Sequence, residues 1–163
     1  MNFLINASLD DDMEARINDL ALHDPNEQVR LEAIRQVTNR KVMEQAYYND
    51  PSGQVKSEAF HYLNARNLLS EEELMKVVNR QDIRLYVVRE ALHNIHNQEF
   101  LKNYVKTDWY WGTRSDAIEN ITDIEFLKKI TQGILQGKST NMLEDKAKER
   151  LRTLGYGLPK KGK

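Results

Sequence analysis

The chain of 163 residues contains no cysteine, which excludes disulfide bonds and zinc sites built on thiolates. Charge of one sign is also lacking: 24 Lys and Arg residues stand against 25 Asp and Glu residues. The chain as a whole therefore has no strong attraction to nucleic acid or to an anionic membrane. No stretch approaches the ~18 consecutive apolar residues of a transmembrane helix. The amino-terminal segment lacks the basic region and long apolar core of a signal peptide, so we expect a cytoplasmic protein.

What the sequence does contain is an internal repeat. Four aspartates each stand nine residues ahead of an alanine, as Asp24/Ala33, Asp50/Ala59, Asp82/Ala91 and Asp108/Ala117. Around each alanine, residues that are nearly all apolar recur at positions −4, +1 and +4, which share one face of a helix with the alanine. A second, shorter apolar stretch lies in each unit, at Met13–Leu22, Val42–Tyr48, Leu74–Val78, Phe100–Val105 and Ile124–Ile130. Units of two short helices at this spacing predict an α-solenoid.

The start of the second helix in each unit is predicted from its aspartate. A carboxylate just before a helix accepts hydrogen bonds from the free N–H groups of the first turn. Proline follows Asp24 and Asp50, and proline is tolerated at the first helical position. The spacing of Asp24 and Glu27 matches a capping box, as does that of Ser70 and Glu73.

The repeats define the expected domain organisation. We predict a single repeat domain over residues 10–154. A short arm or helix precedes it at residues 1–9, and a disordered basic tail follows at residues 155–163. The fifth unit is degenerate, with Ala147 at the small position and Leu151 at the +4 position. Terminal repeats commonly lose the pattern because one face meets water instead of a neighbour.

The segments 24–30 and 50–56 resemble the D-P-x-x-x-V-R start of the second helix in HEAT repeats of the short bacterial kind. The resemblance implies an all-α fold, namely a right-handed α-α superhelix of about five helix pairs. In that family the aspartate and the basic residue six positions later form a ladder between stacked repeats. The third unit departs from this spacing, because Val88 occupies the basic position and Arg89 follows it. The ladder residues implied here are Asp24, Asp50, Asp82, Asp108, Arg30, Lys56 and Arg114.

The resemblance also implies where a partner would bind, because the second helices of HEAT proteins line the concave surface. The columns at −5, −2, −1 and +2 from the alanine lie opposite the core, and the −1 column is acidic in the first four units. An acidic ridge with scattered arginine and histidine suits a basic or mixed-charge protein surface better than a phosphate backbone. The candidate partner-binding residues are Glu58, His61, Tyr86, Arg89, Glu90, His93, Trp109, Trp111 and Asp116.

The run Trp109-Tyr110-Trp111 holds both tryptophans of the chain. Tryptophan and tyrosine are enriched in binding hot spots, and they also stack on nucleic-acid bases. They equally fill grooves between packed helices. The sequence leaves binding and packing open for this cluster.

Three functions fit these patterns. The first is a non-catalytic interaction module or scaffold, without a cofactor, that binds a protein partner through the concave helix face. The second is a nucleic-acid-binding protein resembling the HEAT-like DNA alkylation-repair glycosylases, with Trp109, Trp111 and Asp116 in its groove. The third is a metal-dependent enzyme built on two Glu-x-x-His pairs, Glu58/His61 and Glu90/His93. We favour the first, because no catalytic constellation is present and the expected groove is not basic. Binding to nucleic acid or a membrane is disfavoured, and the partner's identity and the oligomeric state stay open.

Overall fold

The computed structural model describes residues 2–107, 110–133 and 141–157, with side chains from residue 10 onward. Within these residues the chain forms ten helices and no strand, which confirms the all-α prediction. The helices are α1 (Asn2–His23), α2 (Glu27–Ile34), α3 (Arg40–Asn49), α4 (Gly53–Ala65), α5 (Glu71–Val78), α6 (Leu85–His93), α7 (Gln98–Thr107), α8 (Trp111–Glu119), α9 (Ile124–Thr131) and α10 (Asn141–Thr153).

Two features of the chain ends bear on the predicted organisation. Helix α1 covers residues 2–9, which the sequence assigned to an arm or a short helix, and it continues without a break to His23. Residues 158–163 of the predicted tail lie outside the described residues, as do Asp108 and Trp109. Among the helices that the structure describes, none combines the length and apolar character needed to cross a membrane.

The chain divides into two compact units. Unit 1 comprises Met1–Ser70 and Arg80–Val87, and unit 2 comprises Glu71–Asn79 and Val88–Lys163. In unit 1, α1 packs on α2 and α3 packs on α4, while α1 also contacts α3 and α2 contacts α4. In unit 2, α7 packs on α8 and α9 packs on α10, while α8 contacts α10. Within each unit, second helices therefore lie beside second helices, as expected for successive helix pairs of a repeat.

The repeat columns form the core of both units. The four alanines are all buried, and their small side chains let neighbouring helices approach closely. The residues at −4, +1 and +4 are buried as well, with one exception, Val29, which is half-buried. The buried members are Val55, Val87, Thr113, Ile34, Phe60, Leu92, Ile118, Val37, Leu63, Ile95 and Ile121.

The structure corrects the predicted start of two second helices. Asn26 is the N-cap of α2, and its side chain accepts a hydrogen bond from the backbone N–H of Gln28. The carboxylate of Asp24 instead accepts from the backbone N–H of Asn26, two residues on, at 2.8 Å. Asp24 thus stabilises the turn before the helix, in the manner of an Asx turn. The capping box predicted for Asp24 and Glu27 is wrong, because Glu27 is the first residue of α2.

In the second repeat, too, the aspartate stabilises the turn and a later residue caps the helix. Ser52 is the N-cap of α4 and accepts hydrogen bonds from two backbone N–H groups of the first turn. The carboxylate of Asp50 accepts from the backbone N–H of Ser52 at 2.7 Å. Pro25 and Pro51 therefore lie in the turns, not at the first helical position. By contrast, α5 begins directly after Ser70, where the sequence placed its start.

Two pairs of the implied ladder residues are in contact in unit 1. Arg30 binds both carboxylate oxygens of Asp50, at 2.8 Å from Nε and 3.0 Å from Nη2. Lys56 binds the carboxylate of Asp82, which Arg80 also holds through two hydrogen bonds of 2.8 Å. Arg30 and Lys56 thus each reach the aspartate of the following repeat. In unit 2, Arg114 donates to the backbone carbonyl of Val105 at 2.7 Å.

The contribution of the Asp82 carboxylate to stability can be tested by its dependence on pH. The hydrogen bonds from Arg80, and then the one from Lys56, hold the pKa of the Asp82 carboxyl well below its usual value. A carboxyl with a lowered folded-state pKa stabilises the fold above the unfolded-state pKa, and this contribution is lost as the pH falls towards the folded-state pKa. We expect Asp82→Asn to lower the free energy of unfolding at pH 7 by no more than about 1 kcal/mol, because Asp82 is half-exposed and solvent screens the pair.

The measurement is urea unfolding of wild type and Asp82→Asn, side by side, from pH 7 to pH 3. The difference between the two proteins should be constant above pH ~5 and should shrink as the pH falls below ~4, where an unfolded aspartate protonates. A difference that stays the same down to pH 3 would contradict the assigned role of the carboxylate charge.

Candidate partner-binding surface

The centre of the candidate surface in unit 2 is an ion pair between α6 and α8. The guanidinium of Arg89 donates to Asp116 through Nε at 2.7 Å and through Nη2 at 3.0 Å. Asp116 is only 3% exposed, whereas the side chain of Arg89 is 52% exposed. The hydrogen bond to Asp116 raises the pKa of Arg89 above its usual value. Asp116, predicted to contact a partner, therefore lies beneath Arg89 and holds the guanidinium in place.

A row of charges continues from this pair across the second helices of unit 2. His93 Nδ1 lies 3.6 Å from the carboxylate of Glu119, one helical turn beyond the Arg89–Asp116 pair. Lys146 on α10 binds the other oxygen of Glu119 at 2.6 Å and reaches Glu149 at 3.3 Å. Its contact with Glu119 raises the pKa of Lys146. We call Arg89, Asp116, His93, Glu119 and Lys146 the charged strip.

Lys146 was missing from the candidates chosen by sequence. It stands directly before Ala147, at the −1 position of the degenerate fifth unit. The −1 column is acidic in the first four units and becomes basic in the fifth. Extending the repeat alignment by one unit would therefore have identified it.

The aromatic residues of the described part of the cluster lie at the start of α8. Trp111 is its first residue and is 44% exposed, while Tyr110 precedes it and is half-buried. Their ring centroids are 6.1 Å apart. Gly112 makes room for the Tyr110 ring, because a Cβ atom at position 112 would lie 2.7 Å from Tyr110 Cε1. Trp111 thus divides its surface between packing and solvent.

Unit 1 carries its own row of charges on the second helices. Arg35 lies between two acidic side chains, at 2.7 Å from Glu32 and 3.2 Å from Glu58. Two members of the acidic −1 column therefore share one arginine, which leaves one net negative charge on a surface of mixed charge. Of the other predicted residues in this unit, His61 and Tyr86 are exposed.

Two members of the −2 column do not face solvent as predicted, whereas Arg89 of the same column does. Leu31 and Ser57 are both buried. Ser57 donates to the backbone carbonyl of Gly53 and accepts from the backbone N–H of Arg84 at 3.3 Å. In this column the neighbouring helices reach further around α2 and α4 than the sequence pattern indicates.

The geometry gives no support to a metal site. Glu58 and His61 belong to unit 1, whereas Glu90 and His93 belong to unit 2. Within residues 10–107, 110–133 and 141–157, no three His, Asp or Glu side chains come together in a group that could hold a metal ion. His93 contacts Glu119 on the neighbouring helix.

No protein-family model, no curated protein and no solved structure matches the chain. The resemblance to HEAT repeats therefore rests on the residues of the repeat itself and on the helix packing within each unit.

Proposed function

We propose that the helix pairs are HEAT-like repeats that stack in each unit as a right-handed α-α superhelix, and that the chain is a non-catalytic scaffold for a protein partner. Three observations support this reading of the fold. The repeat columns form the core, second helices pack beside second helices, and ladder cations reach the aspartate of the next repeat. Solenoids of this kind expose long helix surfaces that bind other proteins.

The observation that carries the function is the half-exposed Trp111 at the start of α8, the helix that also holds Asp116 and Glu119 of the charged strip. Trp111 and Glu119 are eight residues apart on α8, a spacing that falls within one broad face of a helix. Tryptophan and arginine are the residues that dominate binding hot spots. Because Asp116 already holds the guanidinium of Arg89, ordering this side chain on binding costs little entropy.

The charge of the strip indicates the kind of partner. Arginine, histidine and lysine alternate with aspartate and glutamate along it. A phosphate backbone gains affinity from a groove of uniform positive charge, which this surface does not provide. A protein surface with basic or mixed charge is the better match, because it can pair with both signs.

A pull-down with a single substitution tests this function. Tagged wild type, Trp111→Ala and the control Tyr156→Ala, which replaces another exposed aromatic residue of unit 2, are incubated with nuclease-treated lysate of the native host. We expect wild type and Tyr156→Ala to retain the same protein. Trp111→Ala should retain at least roughly tenfold less of it, as for a hot-spot residue. Mass spectrometry identifies the partner, and circular dichroism verifies that all three proteins are folded.

Two results would count against the proposal. Equal capture by Trp111→Ala would place the binding site elsewhere. Recovery of nucleic acid when nuclease is omitted, with no protein specific to the wild type, would favour the nucleic-acid-binding alternative.

A further inference from the structure

An apolar groove lies between α1 and α2 of unit 1, bordered by Glu32 of the row of charges in that unit. It has a volume of about 360 Å³ and is lined by Ile17, Leu20, Val29 and Ala33, with Glu32 and Gln36 on its polar side. Val29 is the member of the repeat core that is only half-buried. Its counterparts Val55 and Val87 are fully buried. The groove is thus a stacking face of the first helix pair with core-type residues still open to solvent.

The apolar face of α1 that lines the groove extends towards the amino terminus of the helix. Met13 is 62% exposed and precedes Ile17 by four residues, so Met13, Ile17 and Leu20 follow one another on one face of the helix. This stripe is about 10 Å long at 1.5 Å per residue. Residues 10–16 are all exposed, so this part of α1 is accessible along its whole circumference.

Negative charge surrounds the open end of this stripe. Asp10, Asp11, Asp12 and Glu14 are exposed on α1, and Arg16 is the single basic residue among residues 10–16. On α2, the exposed Glu32 borders the groove, and its partner Arg35 is shared with Glu58. The apolar stripe therefore leads into a cluster with a clear excess of carboxylates.

We propose that this groove binds an amphipathic helix of a protein partner whose apolar residues recur at i, i+3, i+4 and i+7 and whose flanking positions are lysine or arginine. An amphipathic helix in a groove buries such a stripe on one face. The basic flank lies near Asp10, Asp12 and Glu14, which are closest to Met13 around the helix, where opposite charges attract and speed association. The site lies in unit 1, shares no residue with the charged strip and does not depend on the function proposed for that strip.

The negative charge around the groove favours a basic amphipathic helix over a second copy of the chain, nucleic acid or anionic lipid. A second copy of the chain, bound groove to groove, would bring another acidic rim against the aspartates, and its basic tail at residues 155–163 holds three glycines and a proline, which disfavour a helix. Nucleic acid and anionic lipid carry negative charge and are repelled by the same residues. A basic amphipathic helix satisfies both the apolar stripe and the carboxylates.

A displayed peptide library tests the proposal with the full chain as bait. The peptides have 18 residues, leucine or isoleucine along one helical face, and random choices of Lys, Arg, Glu, Asp, Gln and Ser elsewhere. We expect selection to enrich basic peptides over acidic ones. The best peptide, measured by fluorescence anisotropy, should bind Met13→Gln/Val29→Gln at least roughly tenfold more weakly than wild type, since both apolar contacts are lost.

Matched variants make each outcome decisive. Met142→Gln, an exposed methionine on α10, and Trp111→Ala should bind the peptide like wild type. Asp10→Asn/Asp11→Asn/Asp12→Asn should weaken it at low salt and less at high salt, because salt screens exposed charges. Thermal melts verify the fold of each variant. No enrichment, enrichment of acidic peptides, or unchanged binding to Met13→Gln/Val29→Gln would overturn the proposal. So would a concentration-dependent dimer in sedimentation that the same double substitution abolishes.

Discussion

Arg30→Ala is expected to lower the free energy of unfolding by about 3–5 kcal/mol, the cost of breaking a buried ion pair by removing one partner. The side chains of Arg30 and Asp50 are 8% and 2% exposed. Without the guanidinium, the Asp50 carboxylate stays buried, and the backbone N–H of Ser52 remains as a hydrogen-bond donor to it. Since small domains are stable by only about 5–15 kcal/mol, this loss is a large share of the total.

Arg30 also ties the turn before its own helix to the repeat. Its Nη1 donates to the backbone carbonyl of Asp24 at 2.8 Å. The hydrogen bond to Asp50 raises the pKa of Arg30 above its usual value, so the guanidinium stays charged throughout the neutral range. One side chain thus joins the turn of the first repeat to the aspartate of the second repeat, and its loss disturbs both.

Arg35→Ala is the matched control, because Arg35 follows α2 directly and forms exposed ion pairs. Its loss should cost less than about 1 kcal/mol, as for most surface pairs. Urea unfolding followed by circular dichroism measures both variants. Arg30→Ala/Asp50→Ala should be less destabilised than the sum of the two single variants, because the double variant leaves no unpaired buried charge. If Arg30→Ala costs no more than Arg35→Ala, the buried pair has no such role.

The repeat pattern predicted the helical architecture because burial repeats with it. The alanine column and its neighbours report which face of each second helix is covered, and that face is set by the 3.6-residue period. Val29 is the exception, because its burial depends on whether another helix lies beside the first pair. Sequence periodicity describes one helix at a time and carries no such information about its neighbours.

The helix starts were harder to predict, because two residue types compete for the same role. In the first repeat, Asp24 and Asn26 both have side chains that cap helices well. The structure uses Asn26 as the cap and Asp24 for the preceding turn. The helix starts two residues later than predicted, so Pro25 lies outside it. The predictions of the capping box and of the proline position were therefore both wrong.

In the third repeat, the basic residue is shifted by one position, from 88 to 89, and this shift changes its contact. Each residue along a helix turns by about 100°, so the basic side chain at Arg89 points away from the direction it would take at position 88. Val88 takes the buried position, and Arg89 meets Asp116 on the neighbouring helix. The sequence showed the slip, but the burial of Asp116 depends on the packing of α6 against α8.

Because Asp116 is buried, we expect a second large effect on stability, which concerns Arg89 at the candidate surface. The sequence pattern places Arg89 opposite the core, among the candidate partner-binding residues. In the structure, Arg89→Ala leaves the buried carboxylate of Asp116 without its two hydrogen bonds from the guanidinium. We expect a loss of about 2–3 kcal/mol in the free energy of unfolding, as for a buried charged group deprived of its partner. The measurement is urea unfolding at pH 7.

An isosteric change at the partner separates charge from packing. In an Asp116→Asn background, Arg89→Ala should cost less than about 1 kcal/mol, because a neutral amide is less costly to bury unpaired than a carboxylate. Arg152→Ala, an exposed arginine of the same unit, should cost little in either background. Equal losses for Arg89→Ala in both backgrounds would show that the charge of Asp116 is not the cause. If the predicted pattern holds, weakened partner binding by Arg89→Ala reports partly on stability, and Trp111→Ala is the cleaner probe of this surface.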